Sequence, residues 1–338
     1  MTRIVVGDIG GTNARFALAE VERGRVGSLG EPVILPTDEY DGLPEAWRAY
    51  DERIGEPLPK AASFGIAGPV TGGPVEFVNS HWVVDPHTVK QDLGLDEVLL
   101  LNDFGAMAHA VHALGPEHFT HLCGPDEALP SQGAISVLGP GTGLGVAVLL
   151  CRESAPVVLE TEGAHIHFAP LNEAERRVSE RIAEKYGRTS VERVVSGPGL
   201  GDIVRALSGE ETRDDPALWK AAIAGTEPSL RDALELFFQS YGAVAGDLSL
   251  AHGSLGVVLT GGLSNRLKDL IPHSGFHARF CDKGRYRERL ESIPVKLVTH
   301  PQPGLYGAAA AFASAHHGAH HGERHGERHG EHHREHAQ

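Results

Sequence analysis

A glycine-rich turn between two apolar segments is the feature that most constrains the fold of this chain. The stretch "GDIGGTNARFAL", residues 7–18, follows the apolar run 4–6 and leads into a second strand-like segment. Gly10 and Gly11 tolerate unusual backbone dihedrals, and exposed backbone N–H groups make good anion cradles. The stretch therefore predicts a β-hairpin with a phosphate-binding turn. A hairpin with a glycine-rich turn and no ligand fits this one motif equally well.

The same arrangement occurs a second time in "AISVLGPGTGLGVAVLL", residues 134–150. Neither copy contains the G-x-x-x-x-G-K-[ST] pattern of a P-loop. The second copy is also a poor dinucleotide fingerprint, because its glycines lead into the strand-like run 146–149 rather than into a helix. This argues against an NAD-dependent oxidoreductase. Two such units, one in each half, predict two related lobes that each offer a phosphate-binding turn to one ligand, such as a nucleoside triphosphate.

Composition narrows the class of partner. The chain of 338 residues has 30 Lys and Arg against 45 Asp and Glu, a net charge of −15, which argues against nucleic acid or an anionic membrane as the main partner. Its three cysteines, Cys123, Cys151 and Cys281, form no C-x-x-C pair and suit a reducing compartment. No leader peptide or membrane-spanning apolar stretch is evident. We therefore expect a cytoplasmic protein that acts on a small molecule.

Strand and helix patterns alternate along the rest of the chain. Apolar strands are expected at 61–70 and at 98–101, and the second runs directly into Asn102 and Asp103. Helices are expected at 104–114, from Asn172 to Gly187, at about 229–251 and from 303 onwards. The segment 256–265 repeats the arrangement of a strand followed by glycines. This order predicts an α/β fold.

The C-terminal segment 316–338 consists almost entirely of His, Gly, Glu and Arg. It contains no apolar residue larger than alanine, so burial cannot offset the entropy of ordering it, and we expect a disordered His-rich tail. Its histidines are able in principle to bind a transition metal, but their spacing does not match a closed structural site.

Three polar clusters stand out as candidate chemistry. Asp103 follows a predicted strand, where open α/β sheets place ligand-binding groups, although it fits equally well as a helix cap. In "ETEGAHIHFAP", residues 160–170, Glu162 precedes His165 and His167, which share one face if the segment is extended and so also fit a metal site. Glu192, taken alone, is interpreted as a charged residue on the solvent-exposed face of a helix.

Taken together, the motifs resemble those of the bacterial ATP-dependent glucokinases, in the same order and at similar separations, from the first strand to about residue 315. The matching segments are 7–12, 65–70, 102–106, 139–147, 162–165, 192–200 and 259–263. The resemblance implies the two-lobed actin/hexokinase-like (ribonuclease H-like) ATPase fold with a central cleft. The small α/β lobe would comprise 1–113 plus about 303–315, and the large α/β lobe 114–302.

The resemblance also implies roles for individual residues. The positions matching the family's glucose ligands are Asn102, Asp103, Glu162, His165 and Glu192, with Asp103 as the catalytic base. The positions matching its nucleotide site are Asp8, Gly10, Gly11, Thr12, Asn13, Gly141, Thr142, Gly143, Gly261 and Gly262. Asp8 would hold Mg²⁺ through water. Carboxylate, amide and imidazole groups suit a ring of sugar hydroxyls, because together they pair with hydroxyls in both senses.

The implied activity is transfer of the γ-phosphoryl group of ATP to the 6-hydroxyl of D-glucose, by a homodimer. Alternatives that the sequence leaves open are a kinase of another hexose, polyphosphate as donor, and a non-catalytic sugar- or nucleotide-binding module of the same fold. Ala164 and His167 depart from the family pattern, in which glycine and an acidic residue are common.

Overall fold

Two mixed β-sheets, each built on an antiparallel hairpin, organise the chain. The computed structural model describes residues 1–70, 72–77, 80–153, 155–209 and 215–330, with the backbone alone for 215 and 317–330. In chain order its strands are β1 (Thr2–Ile9), β2 (Asn13–Glu22), β3 (Arg25–Leu29), β4 (Val33–Pro36), β5 (Ala61–Ile66), β6 (Val75–Glu76), β7 (Val83–Val84), β8 (Glu97–Asn102), β9 (Phe119–Cys123), β10 (Gly133–Pro140), β11 (Leu144–Cys151), β12 (Val157–Thr161), β13 (Gly256–Leu259) and β14 (Val295–Val298).

The helices are α1 (Leu43–Ile54), α2 (Val89–Asp92), α3 (Asp103–Ala113), α4 (Glu173–Tyr186), α5 (Val191–Val194), α6 (Gly199–Ser208), α7 (Asp215–Ala224), α8 (Pro228–His252), α9 (Gly261–Leu267), α10 (Phe276–Cys281), α11 (Arg287–Glu291) and α12 (Pro303–Gly330). Short 3₁₀ turns lie at Thr37–Glu39, Pro116–His118, Gly163–His165, Ile271–His273 and Gly284–Tyr286. The chain divides into two units: unit 1 is Met1–Leu114 with Pro301–Gln338, and unit 2 is Gly115–His300.

The two units contain sheets of related strand order. In unit 1 the order is β3-β2-β1-β5-β8, with β4 also paired to β2, and in unit 2 it is β12-β11-β10-β13-β14-β9. Each first hairpin, β1–β2 and β10–β11, is antiparallel, and the next two strands join in parallel. Both glycine-rich motifs therefore form hairpin turns, as the sequence predicts, and the second leads into strand β11 rather than a helix.

The sheet of unit 1 is covered on both faces. Ile4 and Val6 of β1 point towards α12, whose Leu305 and Phe312 they contact, while Val5 and its neighbours face an aromatic cluster with α1. This cluster contains Phe16, Trp47, Tyr50 and Phe64, with Phe16 edge-on to both Trp47 and Phe64. Burial on two faces explains why β1 is apolar at consecutive positions instead of alternating.

Close packing of α12 on α3 fixes the helix that carries Asp103. A side chain at Gly307 would overlap the carbonyl of Ala106 in α3, so only glycine lets the two backbones approach this closely. Ser63 of β5 donates its hydroxyl to the carbonyl of Ala308, at 2.7 Å. The sheet, α3 and α12 are thereby locked together, which limits how far the N-terminus of α3 can move.

Unit 2 has its core around the long helix α8. Phe237 packs edge-on against Trp219, and Tyr241 packs edge-on against Phe276. Helix α4 begins at a capping box: the Asn172 side chain accepts a hydrogen bond from the Glu175 N–H, and the Glu175 carboxylate accepts one from the Asn172 N–H. Glu175 is also buried and accepts a hydrogen bond from Arg279 at 2.8 Å. The predicted helices 229–251 and 172–187 are both confirmed, and the second ends at Gly187 in the left-handed conformation.

The C-terminal helix extends further than the sequence predicts. Helix α12 continues past 315 to Gly330, so the backbone of the expected disordered tail is helical as far as it is described, while 331–338 lie outside the described residues. Extending a helix that is already docked adds a hydrogen bond for each residue ordered, without a new nucleation cost.

Among the described residues, no helix is both long enough and apolar enough to cross a membrane.

Candidate active site

The first hairpin turn is held by its own strands and by a neighbouring threonine. The Gly10 N–H donates to the Asn13 carbonyl at 3.0 Å. Thr37 makes two further bonds, from its N–H to the Thr12 carbonyl at 3.0 Å and from its hydroxyl to the Gly11 carbonyl at 2.8 Å. All three bonds are accepted by carbonyl oxygens of residues 11–13, so hydrogen bonds within the protein hold the conformation of the turn.

Asp8 lies at the end of β1 beside a cation that the sequence analysis missed. Arg15 is the direct cross-strand partner of Asp8, and its Nη1 lies 3.0 Å from Asp8 Oδ2. Burial raises the pKa of the Asp8 carboxyl, and the charge and hydrogen bond of Arg15 act in the opposite direction. The N-terminal turn of α12 also approaches this carboxylate at Gly304. The four residues 10–13 that separate the paired Ile9 and Ala14 place Asp8 opposite Arg15, so the hairpin prediction itself contained the signal.

Asn102 and Asp103 join the end of β8 to the start of α3. Asn102 is the N-cap residue: its Oδ1 accepts the Phe104 N–H at 2.9 Å, and its Nδ2 donates to the Gly68 carbonyl at 3.1 Å. Asp103 is the first residue of the helix, and its Oδ1 also accepts the Phe104 N–H at 2.9 Å. Asn102 thus occupies the N-cap position, and the two side chains share the Phe104 N–H, so Asp103 is not the only cap of this helix.

These residues share one edge of the unit 1 sheet. Ile9 pairs with Ile66 across β1 and β5, and Ile66 pairs with Asn102 across β5 and β8. The carboxyl ends of the three parallel strands therefore coincide, which is where open α/β sheets place ligand-binding groups. Asp8, the first turn, Asn102 and Asp103 are brought to this edge, as the sequence predicts for Asp103.

The second hairpin turn, residues 141–143, is held from the segment around α5. Within the turn the Gly141 N–H donates to the Gly143 carbonyl at 2.7 Å, and the Gly141 carbonyl accepts the Gly197 N–H at 2.7 Å. Just beyond the turn, the Leu144 N–H donates to Glu192 Oε2 at 3.2 Å. Glu192 is therefore partly buried against the second turn and is not the solvated helix charge that its sequence neighbourhood suggests.

Glu162 and His165 lie beside this turn, on the segment after β12. Thr161, the last residue of β12, donates its hydroxyl to the carbonyl of Val146 in β11 at 3.0 Å. Glu162 Oε2 lies 3.7 Å from His165 Nε2, and both side chains are more than half exposed. Arg188 donates to the His165 carbonyl at 2.8 Å, which fixes the backbone of the turn. The pair is therefore positioned by backbone contacts, with its polar atoms available to a ligand.

His167 has a structural role instead of joining His165. Residues Gly163–His165 form a 3₁₀ turn, so the segment is not extended, and His167 Nδ1 donates to the Thr189 carbonyl at 2.7 Å. His167 also forms an isolated β-bridge with Ser190. Across the described parts of the chain, no group of three or more His, Cys, Asp or Glu residues is placed to hold a metal ion.

The third glycine pair begins helix α9. Gly261 has a φ of +89°, and the Thr260 N–H just before it donates to the Leu138 carbonyl at 2.8 Å. Asn265 donates to the Gly261 carbonyl at 3.2 Å and closes the first turn of the helix. Because β10 and β13 pair in parallel up to Leu138 and Leu259, Gly261 and Gly262 share the sheet edge with the second hairpin turn.

Each unit thus presents a sheet edge with distinct chemistry. The edge of unit 1 carries the Asp8–Arg15 pair, the first turn, Asn102 and Asp103. The edge of unit 2 carries the second turn, Glu162, His165, Glu192 and the Gly261–Gly262 pair. Hydrogen-bonding carboxylates, an amide and an imidazole suit a polyhydroxyl ligand, while glycine turns with exposed backbone suit phosphates. The duplicated strand order with these edges is that of the actin/hexokinase-like ATPase fold.

Comparison with known proteins identifies the family within that class. The glucokinase family model matches residues 5–315. A curated glucokinase of Zymomonas mobilis is 49% identical over 318 residues, which is 93% of this chain and 98% of that protein. The chain belongs to the glucokinase family and is therefore an enzyme, a kinase with ATP as phosphoryl donor.

Solved structures agree with this assignment. A glucokinase from an Antarctic psychrotroph has a TM-score of 0.79 at 30% identity and covers 92% of this chain and 98% of its own. A glucokinase of Balamuthia mandrillaris solved in complex with glucose has a TM-score of 0.77 at 24% identity, covers 93% of this chain and 94% of its own, and supports the fold.

Proposed function

We propose that this chain transfers the γ-phosphoryl group of ATP to the 6-hydroxyl of D-glucose. Membership of the glucokinase family supports the reaction. The position of Asp103 is the observation that supports its mechanism. Asp103 stands at the carboxyl end of β8, on the same sheet edge as the first turn, and Asn102 beside it is the N-cap residue of α3. A carboxylate at this position is placed to meet a ligand held beside the first turn.

Asp103 is the general base of the proposed reaction. It accepts the proton of the 6-hydroxyl as that oxygen attacks the γ-phosphorus and the bond to the β-γ bridging oxygen of ATP breaks. A positioned base of this kind contributes on the order of 100- to 10,000-fold in rate. Backbone N–H groups of the turns after β1 and β10 stabilise charge on the phosphoryl oxygens.

The remaining polar residues bind the sugar. Asn102 carries an amide that both donates and accepts hydrogen bonds, which suits a sugar hydroxyl. Glu162, His165 and Glu192 supply further partners for the ring hydroxyls. Thr12, Asn13 and Thr142 belong to the two phosphate turns, and Gly261 and Gly262 lie near the adenosine in this assignment.

Asp8 fits a magnesium site of the kind that uses few protein ligands. A single carboxylate suits Mg²⁺, which keeps several waters and takes its other oxygens from nucleotide phosphates. Burial disfavours the charge of Asp8, as its raised pKa indicates, and a cation would relieve that cost. When bound, Mg²⁺ would neutralise charge on the β- and γ-phosphates.

We further propose a cytoplasmic homodimer. The three cysteines are free and buried, which suits a reducing compartment. The dimer rests on the family resemblance alone, and sedimentation equilibrium of the purified protein tests it.

Coupled measurement of ADP release tests the activity itself. ADP formation that requires both glucose and Mg-ATP supports the proposal, and the absence of glucose-dependent ADP would leave a binding module of the same fold. A panel of glucose, mannose and fructose, each with ATP or polyphosphate, ranks the acceptor and the donor.

A further inference from the structure

The space beside Gly143 in the second turn is filled by a carboxylate. A methyl group on Gly143 would lie 3.1 Å from Glu192 Cδ and closer still to Glu192 Oε2. The φ angle of Gly143 lies outside the left-handed region, unlike that of Gly261. Glycine is therefore needed at 143 for the room it leaves and not for its backbone conformation.

Neither backbone around this contact is free to move away. The Gly197 N–H donates to the Gly141 carbonyl at 2.7 Å, and the Val191 N–H, next to Glu192, donates to the Ile166 carbonyl at 3.0 Å. The Glu192 carboxylate meanwhile accepts the Leu144 N–H at 3.2 Å. An added methyl at 143 would therefore displace the flexible end of Glu192 in preference to either main chain.

From this contact we infer that Gly143 is a positioning residue for the sugar, acting through Glu192. The inference rests on the proposed function, in which Glu192 binds a sugar hydroxyl. By leaving its Cβ position empty, Gly143 lets the Glu192 carboxylate lie against the turn, where the Leu144 N–H fixes its direction. A residue of the phosphate turn thus sets the affinity for the sugar.

Gly141 provides the matched comparison. It lies in the same turn, its φ also lies outside the left-handed region, and no atom lies within 4 Å of a methyl group placed on it. If the glycines serve only the nucleotide, alanine at either position should affect ATP and leave glucose binding alone. If Gly143 positions Glu192, only alanine at 143 should weaken glucose binding.

The test compares the wild type, Gly141→Ala, Gly143→Ala, Glu192→Asp and the double variant Gly143→Ala/Glu192→Asp. Calorimetric titration gives the Kd for glucose without nucleotide, and steady-state assays give the KM for each substrate and kcat. Because a hydrogen bond to a charged group contributes about 1.5–3 kcal/mol, Gly143→Ala should raise the glucose Kd by about tenfold or more. Its ATP KM should change no more than that of Gly141→Ala.

The aspartate background shows whether Gly143 acts through Glu192. Aspartate is one methylene shorter and draws the carboxylate away from position 143, so Gly143→Ala should alter the glucose Kd of that variant by less than about threefold. Melting temperatures verify that each variant is folded, and the double variant supplies a test even if Gly143→Ala alone is unstable.

Each outcome bears on a different proposal. Equal glucose Kd values for Gly141→Ala and Gly143→Ala, or an undiminished effect in the aspartate background, would overturn the positioning role while leaving glucose phosphorylation intact. A wild type that binds glucose without phosphorylating it would remove the kinase assignment and leave the Kd comparison decisive for Gly143. A wild type that does not bind glucose would remove both.

Discussion

Replacing Asp103 by asparagine separates chemistry from folding at the start of α3. Asparagine keeps a side-chain oxygen that can accept the Phe104 N–H, and the Asn102 oxygen accepts the same N–H at 2.9 Å. What the fold loses is one negative charge at a helix N-terminus, which contributes about 0.3–1 kcal/mol. For a protein of this size that corresponds to a fall in Tm of at most about 4 °C.

The chemical cost of the same substitution is much larger. Asparagine cannot accept the proton of the 6-hydroxyl, and loss of a positioned general base costs on the order of 100- to 10,000-fold in rate, or roughly 3–5 kcal/mol of activation free energy. We therefore expect kcat to fall by at least about 100-fold. ATP affinity should stay close to that of the wild type, because in the proposed site the glycine turns, and not Asp103, hold the phosphates. Coupled ADP release, nucleotide titration and thermal melting measure the three quantities.

Asn102→Ala is the matched control for the cap. It removes the N-cap oxygen and the bond to Gly68, so it should destabilise the fold by about 1–2 kcal/mol. Its main kinetic effect should be a higher KM for glucose. An Asp103→Asn enzyme with kcat within about tenfold of the wild type, or one whose Tm falls as far as that of Asn102→Ala, would refute the assignment of Asp103 as the base.

Three further outcomes follow from the structure. Asp8→Asn should raise the Tm of the ligand-free protein at pH 7, because the raised pKa of Asp8 means that its ionised form opposes folding. The gain in Tm should vanish below pH 3.8, the ordinary pKa of an aspartate, where the carboxyl is protonated in both the folded and the unfolded state. An unchanged or lower Tm at pH 7 would contradict this interpretation. Removal of 317–338 should leave kcat and Tm unchanged, since His316, which contacts Glu97 and stacks on Phe312, is retained; a fall in Tm of several degrees would show that the tail is packed. After chelation, dialysis into Mg²⁺ alone should restore full activity, because the described residues form no preorganised site for a transition metal; recovery only with Zn²⁺ would refute the sugar-ligand role of Glu162 and His165.

The sequence predicts those parts of the structure that depend on local pattern. Apolar runs interrupted by glycines define both hairpins, and a strand that runs into Asn102–Asp103 places these residues at a sheet edge. The Asp8–Arg15 pair could also have been predicted, because antiparallel pairing on either side of residues 10–13 sets it. These features follow from neighbours within about ten residues, where turn chemistry and strand register decide the geometry.

Features that depend on distant contacts were not predictable in this way. The bond between Glu192 and the Leu144 N–H joins residues 48 positions apart, and the bond between His167 and Thr189 joins residues 22 apart. His167 has metal-ligand spacing from His165 only if the segment is extended, and tertiary contacts with Thr189 and Ser190 override that conformation. The local sequence around Glu192, or around His165 and His167, is the same whether these side chains face solvent, a ligand or a backbone carbonyl.

The contact between Glu192 and the second turn also shows that the two glycines of this motif are needed for different reasons. Gly141 has open space around its Cβ position, so no neighbouring protein atom requires glycine there. Gly143 is constrained from within the protein by the Glu192 carboxylate, which in turn is held by the Leu144 N–H. Under the proposed function, the two glycines therefore serve different ligands: Gly141 serves the phosphates and Gly143 serves the sugar. Comparing the glucose Kd and the ATP KM of Gly141→Ala with those of Gly143→Ala separates the two roles.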